Sequence, residues 1–121
     1  MGISRWNLNS NTDRAKKFDG EKLRYELIPA TPLRALAHVY TIGANKYAPR
    51  NWEKGLAWGR IFGAMMRHAW AWWRRERFDP QDGQHHLASV AWCAFALIEY
   101  EVTHQELDDR PPVEPDDPTG F

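Results

Sequence analysis

The chain has 121 residues, 43% of them hydrophobic and seven of them Trp, which suits a single domain with one core. Sixteen Lys and Arg balance sixteen Asp and Glu, so no overall field recruits a polyanion and a general nucleic-acid binder is disfavoured. The lone Cys93 excludes an internal disulfide and a thiolate metal framework. Residues 1–10 lack the apolar stretch of a signal peptide, and no apolar run approaches the ~20 residues of a spanning helix, so a soluble cytoplasmic protein without membrane partners is expected.

Residues 1–17 are polar and aperiodic and predict a flexible N-terminal arm. Asp19 and Gly20 then signal a turn, and Leu23, Tyr25 and Leu27 alternate with charges as in a short extended segment closed by Pro29. Thr31 and Pro32 read as the N-cap and first residue of a helix over 32–47, with Leu33, Leu36, Ala37, Tyr40 and Ala44 on its apolar face. Gly43 inside it implies a bend or a close approach to the backbone. Residues 48–55 form a loop carrying Trp52.

A second helix is predicted over 56–77 on the stripe Ile61, Ala64, Met65, His68, Ala69 and Trp72. Asp79, Pro80 and Asp82 occupy N-cap, N1 and N3 spacing and predict a third helix over 79–106, with a stripe of Leu87, Val90, Ala91, Ala94, Leu97 and Ile98. The short link makes helices two and three an antiparallel hairpin. The expectation is an all-α protein, a small bundle of three main helices with a single domain over 1–107. After it, 108–121 holds four prolines and five acids in 14 residues and reads as a disordered tail.

The chemistry gathers where helices two and three meet. On an unbroken helix from Asp79, the spacing i, i+3, i+7 places Asp79, Asp82 and His86 on one face, with Glu76 a turn before them. Carboxylates with water suit a hard divalent cation, Mg²⁺ or Mn²⁺, that shares its coordination with phosphates. The bland alternative is that Asp79 and Asp82 cap the helix while Glu76 pairs with a neighbouring Arg. His68, on an apolar stripe, reads either as a half-buried core histidine or as support for that cluster. His85 points the other way and reads as solvated.

The loop 43–55 supplies Lys46, Arg50 and Lys54 for phosphates and the flat rings of Tyr47 and Trp52 for a base, or else is a solvated basic loop with anchoring aromatics. There is no P-loop, dinucleotide fingerprint, CxxC or GxSxG, so catalysis by a Ser or Cys nucleophile has no support.

In order, KFDGEKLRYELIP, GANKYAPRNWEKG, RHAWAWWRRERFDP and HLASVAWCAFAL resemble the dATP/dGTP diphosphohydrolase N-terminal family, often phage-encoded and related to MazG-type all-α pyrophosphohydrolases. The resemblance covers 17–101 and implies Mg²⁺- or Mn²⁺-dependent hydrolysis of dGTP or dATP to the monophosphate and pyrophosphate. Its motifs fall on Lys17, Asp19, Lys22 and Arg24, on Gly43, Ala44, Lys46 and Tyr47, on Asn51 and Trp52, on Arg67 and His68, and on Glu76, Asp79 and His86. It thereby implies substrate contacts from Lys22, Arg24, Lys46, Tyr47, Asn51, Trp52 and Arg67, catalytic roles for Glu76, Asp79 and His68, and metal ligation by Glu76, Asp79 and His86, to which spacing adds Asp82. Three departures stand out: Arg75 where the family has Gly before the acid, Cys93 where Asn is frequent, and no visible ExxE or ExxD signature.

Trp70, Trp72 and Trp73 face several directions on one helix, more surface than three helices cover, so a homodimer or homotetramer is expected. A non-catalytic phage accessory protein binding a nucleotide or protein partner through this Trp-rich helix is the alternative.

Overall fold

The computed structural model describes residues 14–18, 20–113 and 115, and these form an all-helical fold. Asp19 and most of the arm expected over 1–17 lie outside the described residues. The main helices are α1 (Ala30–Lys46), α2 (Trp58–Trp73) and α3 (His86–Thr103), with short 3-10 turns at Tyr25–Leu27, Asn51–Lys54 and Gln105–Leu107. The segment expected to be extended around Leu23–Leu27 instead holds the first of these turns. Among the described residues no helix is long and apolar enough to cross a membrane.

Helix α1 begins two residues before the position Pro32 suggests, with Pro29 in extended conformation before it and no side-chain cap. Pro32 thus occupies the third helical position, where its missing N–H would have had no intrahelical partner anyway. A Cβ at Gly43 would meet nothing within 4 Å, so no neighbour requires a glycine there.

Helix α2 stops at Trp73, short of the expected residue 77, because Arg75 adopts φ 78. Glu76 N–H donates to the Ala71 carbonyl and Arg75 N–H to that of Trp72, both at 3.0 Å, which is the Schellman closure of a helix. That closure wants a left-handed residue, which Gly adopts freely and Arg only with strain.

The third helix does not start at Asp79. The Asp79 Oδ1 accepts from Gln81 N at 2.9 Å and the Asp82 Oδ1 from Gln84 N at 3.0 Å, so both acids fasten a turn that is closed by Asp79 N donating to the Gln84 carbonyl at 2.8 Å. An N-cap and an Asx turn use the same bond, a carboxylate accepting an N–H two or three residues on, which is why spacing alone reads as a helix start. The cap of α3 is His85, whose Nδ1 accepts from Leu87 N at 3.0 Å while its ring packs edge-on against Phe78. It is therefore a structural residue and not the solvated one expected.

Helices α2 and α3 pack most closely and run antiparallel: Trp58, at the start of α2, donates from Nε1 to the His104 carbonyl just past α3 at 3.1 Å, while His68 meets His86 at the opposite end. Helix α1 lies against α3. The core joins Trp58, Ile61, Cys93, Ala96 and Tyr100, flanked by Trp52, Met65, Trp92, Leu97 and Leu107. The buried face of α3 is His86, Ser89, Cys93, Ala96 and Tyr100, not the expected stripe, of which Leu87 is 38% and Ile98 64% exposed. A helix that is apolar nearly all round has no unique stripe, and the small residues sit inward because α2 crosses closely there. Tyr100 is fully buried, and its hydroxyl donates to the Trp52 carbonyl.

Two features tie the surrounding chain down. Gly55, at φ 107, is obligatory because a Cβ would stand 2.6 Å from His104 Cδ2 and 2.7 Å from Leu107 Cδ1. Beyond α3, Asp109 Oδ1 accepts from Gly59 N at 2.7 Å and the Arg110 guanidinium lies 4.8 Å from the Trp58 ring centre. Residues 108–110, grouped with the tail by composition, thus cap and cover the start of α2.

Candidate functional site

The open end of the α2–α3 hairpin collects polar side chains from four local structures. The last turns of α2 present His68, the Schellman closure presents Glu76, the Asx turn presents Asp79, and the first residue of α3 is His86. His68 Nδ1 and His86 Nδ1 stand 2.9 Å apart, and His86 Nε2 is 2.7 Å from Glu76 Oε1. His86 has a 5% exposed side chain, whereas that of Glu76 is 49% exposed.

A carboxylate only accepts, so His86 donates from Nε2 to Glu76, and its Nδ1 is the nitrogen that faces His68. Burial, followed by the nearby His86, holds the His68 pKa below the ordinary histidine value; the charges of Asp79 and Asp82 oppose this incompletely, with Arg67 adding a small further lowering. His68 is therefore neutral at pH 7, as a ligand imidazole must be.

One ligand atom from each of His68, Asp79 and His86 lies within 4.8 Å of the others. Two donors about 2.1 Å from one ion in neighbouring coordination positions stand roughly 3 Å apart, so the 2.9 Å between the imidazole nitrogens fits a shared divalent cation. The donor set, two imidazoles and a carboxylate, also fits by chemistry, and a carboxylate behind a ligand imidazole is the usual arrangement for orienting it. Glu76 occupies that rear position: its bond is to Nε2, across the ring from the nitrogen that faces His68.

A cleft of about 630 Å³ opens beside the cluster. Its walls include Tyr40, Gly43, Lys46 and Tyr47 of α1 and its end, Asn51 and Trp52 of the following turn, His68 of α2, Asp82 and Gln84 of the junction, and Ser89, Trp92 and Cys93 of α3. Of the candidate substrate residues, Lys46, Tyr47, Asn51 and Trp52 line it, joined there by His68 and Asp82. Arg67, Lys22 and Arg24 do not; Arg67 is exposed on α2, and Arg24 pairs with Glu26 at 2.8 Å. Trp52 packs at centroid distances of 6.0 to 6.3 Å with Tyr100, Tyr40 and Trp92, so part of its ring belongs to the wall and not to a ligand.

Sequence reasoning did not single out Gln84, Ser89, Trp92 and Tyr40 as wall residues. The available signal lay in the 3 and 4 spacing of His86, Ser89 and Cys93, which extends the histidine's face along α3. Cys93 on that wall has its pKa pushed up to about 11 by burial, so it stays a thiol and supplies no nucleophile.

A family model described as dATP/dGTP diphosphohydrolase, N-terminal, matches residues 12–110. The chain belongs to this family. Its name denotes a hydrolase of purine deoxynucleotides, and the matched region ends at Arg110, where the chain covers Trp58. Neither the curated proteins nor the solved structures contain a match.

Proposed function

We propose that the chain hydrolyses a purine deoxynucleoside triphosphate, dGTP or dATP, to the monophosphate and pyrophosphate, using a divalent cation. The observation that carries this reading is the adjacency of two things: a three-residue ligand set of His68, Asp79 and His86, and a cleft large enough for a nucleotide. The family name supports the substrate class.

In this reading His68, Asp79 and His86 hold the cation, and Glu76 steers the His86 ring through its bond to Nε2. Asp82, on the cleft wall and engaged with Gln84 N, lies close enough for its charge to act on His68 and adds a carboxylate for water-mediated contact. A cation held there would supply Lewis acidity toward the phosphates and would lower the pKa of a bound water. Lys46 on the opposite part of the lining offsets charge on the leaving pyrophosphate, and Tyr47 and Asn51 border the space left for sugar and base. Mn²⁺ suits the imidazole-rich set better than Mg²⁺, because imidazole is a borderline ligand and Mg²⁺ demands oxygen.

Self-association belongs to the same proposal. Phe62, Met66, Trp70 and Trp73 on α2, and Phe95, Ile98 and Val102 on α3, are exposed apolar side chains at helical spacing. A homodimer or homotetramer would cover them, and the Trp-rich surface is then assigned to a second copy and not to an accessory role.

The test is a panel of the four dNTPs with Mn²⁺ or Mg²⁺, resolved for monophosphate and pyrophosphate. Stoichiometric pyrophosphate from a purine dNTP is expected. Release of triphosphate or orthophosphate, or no turnover with any of the four, would remove the proposal.

A further inference from the structure

Gln84 is 3% exposed, and its Nε2 has no hydrogen-bond partner among the described residues. Its backbone is fully committed: the N–H donates to Asp82 Oδ1 and the carbonyl accepts from Asp79 N. The residue is therefore held rigidly in a turn, on the wall of the cleft, two positions from Asp82 and two from His86. A buried amide donor with nothing to donate to is costly, and folded proteins rarely keep one without a use.

We infer that Gln84 is a substrate-binding residue whose amide N–H group donates to a phosphate oxygen of the nucleotide. The inference rests on the proposed nucleotide reading and adds a contact that neither the family motifs nor the helix spacing mark. One observation and two general considerations select phosphate over base or sugar. Gln84 lines the cleft from the same turn that carries Asp79 and Asp82, and His68 lines the same cleft, so Gln84 stands at the end where the candidate ligand set lies. A cation held by so few protein ligands would have positions left for phosphate oxygens. And a charged acceptor roughly doubles the strength of the bond, which best repays an amide kept unpaired in the free protein. The terminal torsion of Gln is soft, so the amide can turn Nε2 toward an arriving oxygen without moving the turn.

The inference makes two opposite demands on one substitution. Gln84→Met keeps length and removes the orphan donor, so the free protein should melt higher, by about 4 °C for a domain of this size. The same variant should bind α,β-methylene-dGTP and inorganic pyrophosphate about tenfold more weakly in the presence of Mn²⁺, measured by titration calorimetry, with deoxyguanosine binding unchanged. Gln84→Glu, which places an acceptor against phosphate, should weaken the first two further. Unchanged affinity for both phosphate ligands in Gln84→Met, an equal loss for deoxyguanosine, or a lower melting point would each overturn the assignment. If wild-type protein binds and cleaves dGTP while Gln84→Met does so equally well, Gln84 alone is misassigned. If wild-type protein binds neither phosphate ligand, the nucleotide reading and this inference fall together.

Discussion

The two ends of the α2–α3 hairpin are built on opposite principles. At the closed end Trp58 is buried, donates its N–H to the His104 carbonyl and is covered by Arg110, while Asp109 caps the helix start and Leu107 fills in beside Gly55. Apolar and polar groups there satisfy one another. At the open end two imidazoles meet nitrogen to nitrogen with their rings tilted, a carboxylate backs one of them, Arg75 carries a strained φ, and the Gln84 amide keeps a donor unpaired among the described residues. The strained Arg75 backbone and the unpaired Gln84 donor cost stability, and His68 and Gln84 line the cleft. The contrast teaches that the closed end secures the hairpin so that the open end can hold groups that would not choose to be there.

The comparison breaks most visibly at the closed end. Trp58→Ala should destabilise the protein by about 3–5 kcal/mol, read from urea unfolding, because it leaves a cavity and removes one of the two N–H groups that the His104 carbonyl accepts from. A loss below about 1 kcal/mol would show that this end does not secure the hairpin. At the open end, Glu76→Gln should lower Mn²⁺ affinity by about 10–100-fold, with matching loss of pyrophosphate release and little change in unfolding, since the side chain is half exposed. Undiminished Mn²⁺ binding by calorimetry would place Glu76 outside the site.

Arg75→Gly should do the reverse and stabilise the protein by about 1 kcal/mol, seen as a higher melting temperature, by relieving the left-handed backbone. A fall in melting temperature would mean the arginine side chain contributes more than its backbone costs. The smallest effect expected is on pH dependence. The folded His68 pKa lies below its ordinary value, while the unfolded chain takes up that proton near pH 6.5. Its contribution is thus complete above about pH 6.5 and is lost as pH falls through the lower folded value. Replacing His68 with Gln should flatten the acid side of a stability-against-pH curve, and an identical slope in both proteins would refute the assignment.

Much of the fold could be read from the chain. Ile61, Ala64, Met65 and His68 recur at helical spacing and do line the inner face of α2, and the antiparallel hairpin forms as expected although the link, residues 74–85, is longer than the few residues anticipated. Helix α3 was less legible: with apolar residues on almost every face, its sequence could not say that Ser89 and Cys93 turn inward while Ile98 turns out. The junction was legible in composition and illegible in geometry. Asp79 and His86 come together with His68 through a turn and not along a helix face, Asp82 stays outside that set and fastens the turn, and the Arg75 strain that stops α2 cannot be inferred from a helix-favouring arginine.

What the sequence determined by itself was the inventory: a neutral all-α chain with one thiol, paired acids and histidines at a hairpin junction, and the motif order of its family. Those are properties of residue type and spacing along the chain, which local physics reads directly. Only the tertiary structure decided which ring nitrogen of His86 faces His68, that Glu76 lies behind it, and that the Gln84 amide nitrogen is buried without a partner among the described residues. Such facts depend on where separate segments come to rest against each other. A hydrogen bond or a ligand set is settled within a few tenths of an ångström, and periodicity along one helix carries no information at that scale about its neighbour.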